Sequence, residues 1–209
     1  MDYERRHKRL RSLIRKLNKQ RKAQSKKTDI LCNDLIAAQR RFVKTLGTIS
    51  FTANFYKSII GITDLSKLLN AANKLIREEI NNINVTFFLR QASSFKLYMF
   101  ESNQPIALEK HRLENCFNDE LVEAISRANN ICTLDELYTM GLEADKLGLK
   151  QISAATVPLG EFGRSLGFIL VYQTSQPKLT GEELSKISAV VGGLSEAVQA
   201  CQAISQLAG

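Results

Sequence analysis

Apolar residues recur along the first quarter of the chain at alternating steps of four and three. The row runs Leu10, Ile14, Leu17, Arg21, Gln24, Thr28, Leu31, Leu35, Ala38, Phe42, Thr45, Ile49, Thr52, Tyr56. No proline falls between Leu10 and Tyr56 and the first glycine is Gly47, so the pattern predicts one long helix over 10–56. A sustained 3.5-residue repeat keeps one stripe turned toward a partner along the whole length of a two-stranded coiled coil. The helix is therefore expected to dimerise parallel to its copy, with Leu10, Ile14, Leu17, Leu31, Leu35, Phe42 and Ile49 in the seam. The polar break at Arg21, Gln24 and Thr28 lowers stability and fixes register.

Beyond Gly61 the periods change. Asp64–Glu79 places Leu65, Leu68, Leu69, Ala72, Leu75 and Ile76 on one helical face. Asn84–Arg90 and Phe95–Phe100 alternate over short spans and read as a β-hairpin. Both faces of these strands are apolar, so both must be covered. The middle third is irregular. A helix over Asp119–Ala128 with Asn118 as cap, a short extended piece at Asn130–Leu134 and a helix opened by the capping box Thr133–Glu136 are expected. Ser153–Leu159 and Ser165–Thr174 flank a glycine-bearing reversal at Gly160 to Gly163 and predict a second hairpin. A capping box at Thr180–Glu183 opens the last helix, where Leu184, Ile187, Val191, Leu194, Val198 and Cys201 repeat the heptad signature and extend the expected dimer seam. Two parts follow: a helical stalk over 1–60 and a domain over 61–209.

Charge divides the same way. Residues 1–27 hold 12 Lys and Arg against Asp2 and Glu4, a net of +10 within a formal +8 overall, which leaves 17 basic and 19 acidic residues for the remainder. The cluster from Arg5 to Lys22 admits three readings: a solvated helix end, attraction to anionic lipid, and phosphate contact with nucleic acid. Tyr3 is the only aromatic residue before Phe42, which serves neither base stacking nor interfacial anchoring. The longest apolar runs fall short of a membrane span, and the charged N-terminus lacks the apolar stretch of a secretory signal. A cytoplasmic chain is expected. Its cysteines, at 32, 116, 132 and 201, form no CxxC pair and suit buried thiols better than a disulfide framework.

The last third carries a family likeness. Val157-Pro158-Leu159, the turn from Gly160 to Arg164, Gly167-Phe168-Ile169-Leu170, and Leu179-Thr180 followed by Glu183-Leu184 resemble the closing phrases of a GAF domain, and the resemblance extends over about residues 60–205. It implies an α+β fold with a central antiparallel sheet of five or six strands and helices on both faces. The first and last helices would lie on one face and a ligand pocket on the other, roofed by the irregular middle. It also implies a sensory or dimerisation module for a small molecule or none, coupled by its flanking helices to an output domain or partner protein. The Cys-His pair of bilin-binding members and the Asn-Lys-Phe-Asp-Glu phrase of cyclic-nucleotide members are missing.

By the same resemblance, the strand face carrying Ala155, Val157 and Leu159 is assigned to the pocket, together with Phe88, Tyr98, Phe100, Met140 and Leu142; ordinary core is the competing reading for each. Arg90 and Arg164 suit either an anionic ligand or strand-end salt bridges. His111, Cys116 and Cys132 follow no zinc spacing, so no metal is expected, and the sequence leaves the cofactor open. No Ser/His/Asp set, phosphate-cradling loop or isolated carboxylate pair is visible, and the chain is accordingly read as not an enzyme. The expected function is a small-molecule- or partner-binding regulatory domain signalling through a helical dimer. The alternatives are a ligandless scaffold and a redox enzyme working through Cys116 or Cys132.

Overall fold

The computed structural model describes residues 2–91, 94–100, 107–108, 111–144, 152–161, 164–173 and 178–207. By its contacts the chain forms two units, Met1–Gly47 and Thr48–Gly209. Helix α1 spans Asp2–Ile59. In the first unit its apolar and basic side chains alike are exposed: Leu10, Ile14, Leu17, Leu31, Leu35 and Phe42 retain 53 to 69% of their accessible surface.

The second unit begins inside the helix rather than after it. Phe51, Phe55 and Ile59, spaced four apart on a different row from the heptad stripe, are buried in the domain core. The stalk expected to end at residue 60 thus contributes its last three turns to the globular part. Ile49 stays exposed.

Helix α2 (Leu65–Glu79) starts at Asp64, whose carboxyl accepts the Lys67 amide at 2.7 Å, as an N-cap should. Strand β1 (Asn84–Gln91) pairs antiparallel with β2 (Ser94–Tyr98), matching the first expected hairpin. A two-stranded ribbon, β3 (Ala107–Leu108) with β4 (His111–Arg112), follows, and no pattern in the sequence anticipates it. The 3-10 helix η1 (Leu113–Cys116), helix α3 (Asp119–Ala128), the two-residue strand β5 (Cys132–Thr133) and helix α4 (Leu134–Thr139) make up the irregular middle. Asn118 caps α3 at 2.8 Å and Thr133 with Glu136 forms the capping box of α4, both as the sequence signals. The chain returns through β6 (Ser153–Glu161) and β7 (Arg164–Gln173) to helix α5 (Gly181–Leu207).

The main sheet has five antiparallel strands in the order β2-β1-β7-β6-β5. The last strand of the chain lies in the centre, between β1 and β6. Gly167 of β7 sits opposite both Leu89 and Leu159. At the far edge β5 reaches only Thr156 and Ala155 of β6. Pro158 lies further along β6, and the Gly160 amide donates to the Ser195 hydroxyl of α5 at 3.0 Å.

Two apolar clusters fill the two faces. The end of α1, α2 and α5 pack on the side carrying Val85, Phe87, Leu89, Ile169 and Val171. Helix α5 turns Ile187, Leu194, Val198 and Cys201 into this cluster, fully buried, with Leu184 and Val191 packed against it. Its 3–4 spacing therefore serves the chain's own sheet, and the expectation of a dimer seam is corrected for Ile187, Leu194 and Val198, which are fully buried there, while Leu184 and Val191 are only partly buried. Helix α5 is also long and apolar enough, at a mean hydropathy of 1.2, to pass for a membrane span by length and composition; a third of that stretch is buried in the domain.

Candidate functional site

The opposite sheet face lies under the irregular middle. Successive strand side chains alternate between faces, so Thr86 and Phe88 of β1, Phe168, Leu170 and Tyr172 of β7, and Ala154 and Thr156 of β6 form its floor. Leu170 lies between Thr86 and Thr156 in register. The roof brings Leu113 from η1, Leu121, Val122 and Ile125 from α3, Leu137 from α4, and Leu142. Phe88 stacks on Phe168 at 4.7 Å with the planes 17° apart, and Phe117 lies 5.4 Å from Phe88.

The eight pocket candidates do not share this face. Phe88 and Leu142 belong to the roofed cluster, and Met140 packs against it. Val157 and Leu159 belong to the α2/α5 cluster, and Tyr98 and Phe100 pack against that cluster. Alternation carries buried Ala155 to the same side as Val157. Register is the reason: Tyr98 pairs with Phe87 and Leu97 with Phe88, and one residue of slip exchanges the faces of an entire strand. Both faces being apolar, alternation identifies the residues that share a face but not the face that is roofed.

Polar side chains lie within the roofed cluster. Glu114 is 3% exposed, and the Tyr172 hydroxyl donates to its Oε1. Its Oε2 has no hydrogen-bond partner among the described residues, and neither has the hydroxyl of Thr86, which is completely buried. Thr156, across Leu170 from Thr86, is fully buried on the same floor, and its hydroxyl is also without a geometric hydrogen-bond partner among the described residues; a buried polar atom left unbonded costs about 1–3 kcal/mol. The sequence reading missed all three. Glu114 lies in an irregular stretch with no period to place it, and each threonine resembles any β-branched strand residue.

Arg90 is accounted for by its neighbours. It donates to Glu123 of α3 at 2.8 Å and lies 4.7 Å over the Phe95 ring, so the strand-end salt bridge is the arrangement found. The side chains of Arg164 and His111 lie outside the described residues. Cys116 and Cys132 sit in or against the roofed cluster. Burial pushes both thiols above the ordinary thiol range; Glu114 adds to the rise at Cys116, and the Thr156 side chain partly offsets it at Cys132. The thiolate is the reactive form, so a raised thiol has less of it at neutral pH. At pH 7, an excess of iodoacetamide is expected to modify exposed Cys32 first, with Cys132 and Cys201 protected until the chain unfolds. Mass-mapping of quenched samples checks the order, which fails if Cys132 reacts as fast as Cys32.

No family model matches the chain, and no curated protein does. Solved structures do. The GAF domain of a phosphoenolpyruvate-protein phosphotransferase from Coxiella burnetii matches with a TM-score of 0.57 at 14% identity, over 77% of this chain and 98% of that one. The GAF domain of the Acinetobacter phosphoenolpyruvate-protein phosphotransferase gives 0.56 at 13%, over 75% and 95%. The fold is the GAF fold.

A free methionine-R-sulfoxide reductase from Neisseria meningitidis, solved in complex with its substrate, matches this GAF fold with a TM-score of 0.54 at 12% identity, over 75% of this chain and 91% of that one. That finding overturns the reading of the chain as not an enzyme. The reading rested on the lack of a recognisable catalytic phrase, and an enzyme occupies the same GAF architecture.

Proposed function

We propose that this chain is a cytoplasmic regulatory GAF module that binds a small molecule under its roofed sheet face and works as a parallel homodimer through α1. The open apolar row of α1 carries the reading. Leu10, Ile14, Leu17, Leu31, Leu35 and Phe42 are each more than half exposed, on a helix of 58 residues whose first part forms a unit by itself. An isolated helix gains most of its stability from burying such a stripe, and a second copy supplies the matching heptads in register. Buried polar groups on the roofed face support the ligand-binding part. A ligand that alters packing there would bias the helices on the opposite face, including the buried end of α1.

Sedimentation of the purified chain at micromolar concentration is expected to give about 47 kDa, twice the 23.4 kDa chain mass. A Leu31→Asp/Leu35→Asp variant should sediment as the monomer with its thermal midpoint little changed, because both side chains are about two-thirds exposed in the single chain. A wild-type protein that sediments only as a monomer removes the dimer from the proposal.

A further inference from the structure

We propose that the roofed face of the sheet is a binding site for a small primary amine, with Glu114 as its anchor. The inference rests on the small-molecule part of the function proposed above and names the ligand's chemistry.

Tyr172 donates to one oxygen of the Glu114 carboxyl, which fixes that group as an acceptor facing β7. The second oxygen, Oε2, is buried and has no hydrogen-bond partner among the described residues. Thr86 sits one diagonal step from Tyr172 on the same face, since Asn84 pairs with Tyr172 and Thr86 with Leu170. Its hydroxyl is also unbonded among the described residues. An acceptor without a donor and a hydroxyl free to donate or accept thus lie around one tyrosine.

The remaining walls choose among donors. Further along the same face Phe88, Phe117 and Phe168 pack together, with Phe88 stacked on Phe168, an apolar surface that accepts methylene groups. An ammonium group meets both demands: its N–H bonds suit an acceptor such as Glu114 Oε2 and a hydroxyl such as Thr86 Oγ1, and its hydrocarbon part suits the apolar floor. A carboxylate or phosphate ligand would instead face the Glu114 carboxyl with like polarity.

Isothermal titration of the full chain with n-butylammonium and benzylammonium chloride, against benzyl alcohol and sodium benzoate, tests the assignment. The ammonium probes are expected to bind and benzoate not to. Glu114→Gln keeps an oxygen for the Tyr172 hydroxyl and should weaken ammonium binding at least tenfold while retaining the wild-type circular dichroism spectrum. If that variant does not fold, Thr86→Val serves in its place, with an expected weakening of about three- to tenfold. Equal affinity for benzoate, unchanged ammonium binding in the variant, or no binding of either ammonium probe overturns the inference. Native mass spectrometry separates the two proposals: a copurified ligand of another class, with no ammonium binding, overturns the amine and leaves small-molecule binding standing.

Discussion

Gly167→Ala is expected to abolish a stable fold or to lower the thermal midpoint by ten degrees or more. Gly167 has φ near +134°, a region that side-chain-bearing residues rarely enter, and a Cβ there would stand 1.8 Å from the Phe88 carbonyl oxygen and 3.0 Å from the Leu89 Cα. These are backbone atoms of β1, paired with β7 along six residues, and β7 is held from its other side by β6. Neither strand can retreat without breaking a ladder. Clash and backbone strain together put the cost at or beyond the ~4 kcal/mol that marks an exceptional substitution, against a total stability of about 5–15 kcal/mol for an ordinary domain. Gly47→Ala is the matched control. Nothing lies within 4 Å of its Cβ position and the site is mid-helix, so a gain of about 0.5–1 kcal/mol is expected. Thermal and urea unfolding of the two variants should move in opposite directions; equal, small shifts would mean that β1 and β7 approach less closely at this point.

Phe55→Ala should cost about 3–5 kcal/mol. The ring is fully buried, edge-on to Phe51 at 5.9 Å and to Tyr56 at 6.2 Å, in the cluster that α2 and α5 share with the sheet. Phe42→Ala, thirteen positions earlier on the same helix, removes an identical ring from an exposed site. Its cost should be confined to dimer affinity. Urea unfolding at low protein concentration, followed by circular dichroism, separates the two: a large loss for Phe55→Ala beside little change for Phe42→Ala puts the domain boundary inside α1. Comparable losses would place that boundary elsewhere.

These two positions show what the sequence discloses and what it withholds. Helices and strands are legible wherever a period runs long enough, and the caps Asn118 and Thr133 mark helix starts to the residue. The boundary at Gly47 is not, because Phe51, Phe55 and Ile59 continue the same helix and differ from the heptad row only by rotation about its axis. The role of α5 was misread for a related reason: a stripe at i, i+3, i+4 looks the same whether it meets a sheet or a second helix. Within the site, Phe88, Met140 and Leu142 were placed on the roofed side, while Val157, Leu159, Tyr98 and Phe100 fell on the other face because strand register is a tertiary property. Glu114 had no local signal at all. Its meaning arises from Tyr172, 58 residues away in the chain.

The short fifth strand has a consequence for how this sheet meets other chains. Because β5 covers only two residues of β6, the far half of β6 is a sheet edge among the described residues, the kind of surface on which a foreign strand could be added. Antiparallel strands direct every second amide outward, and here the two in question are disarmed by different means. Pro158 has no N–H to offer, and the Gly160 N–H already belongs to Ser195. Among the described residues an incoming strand would find neither of these two donors, so one proline and one serine make the edge that β5 leaves open a poorer template for strand addition.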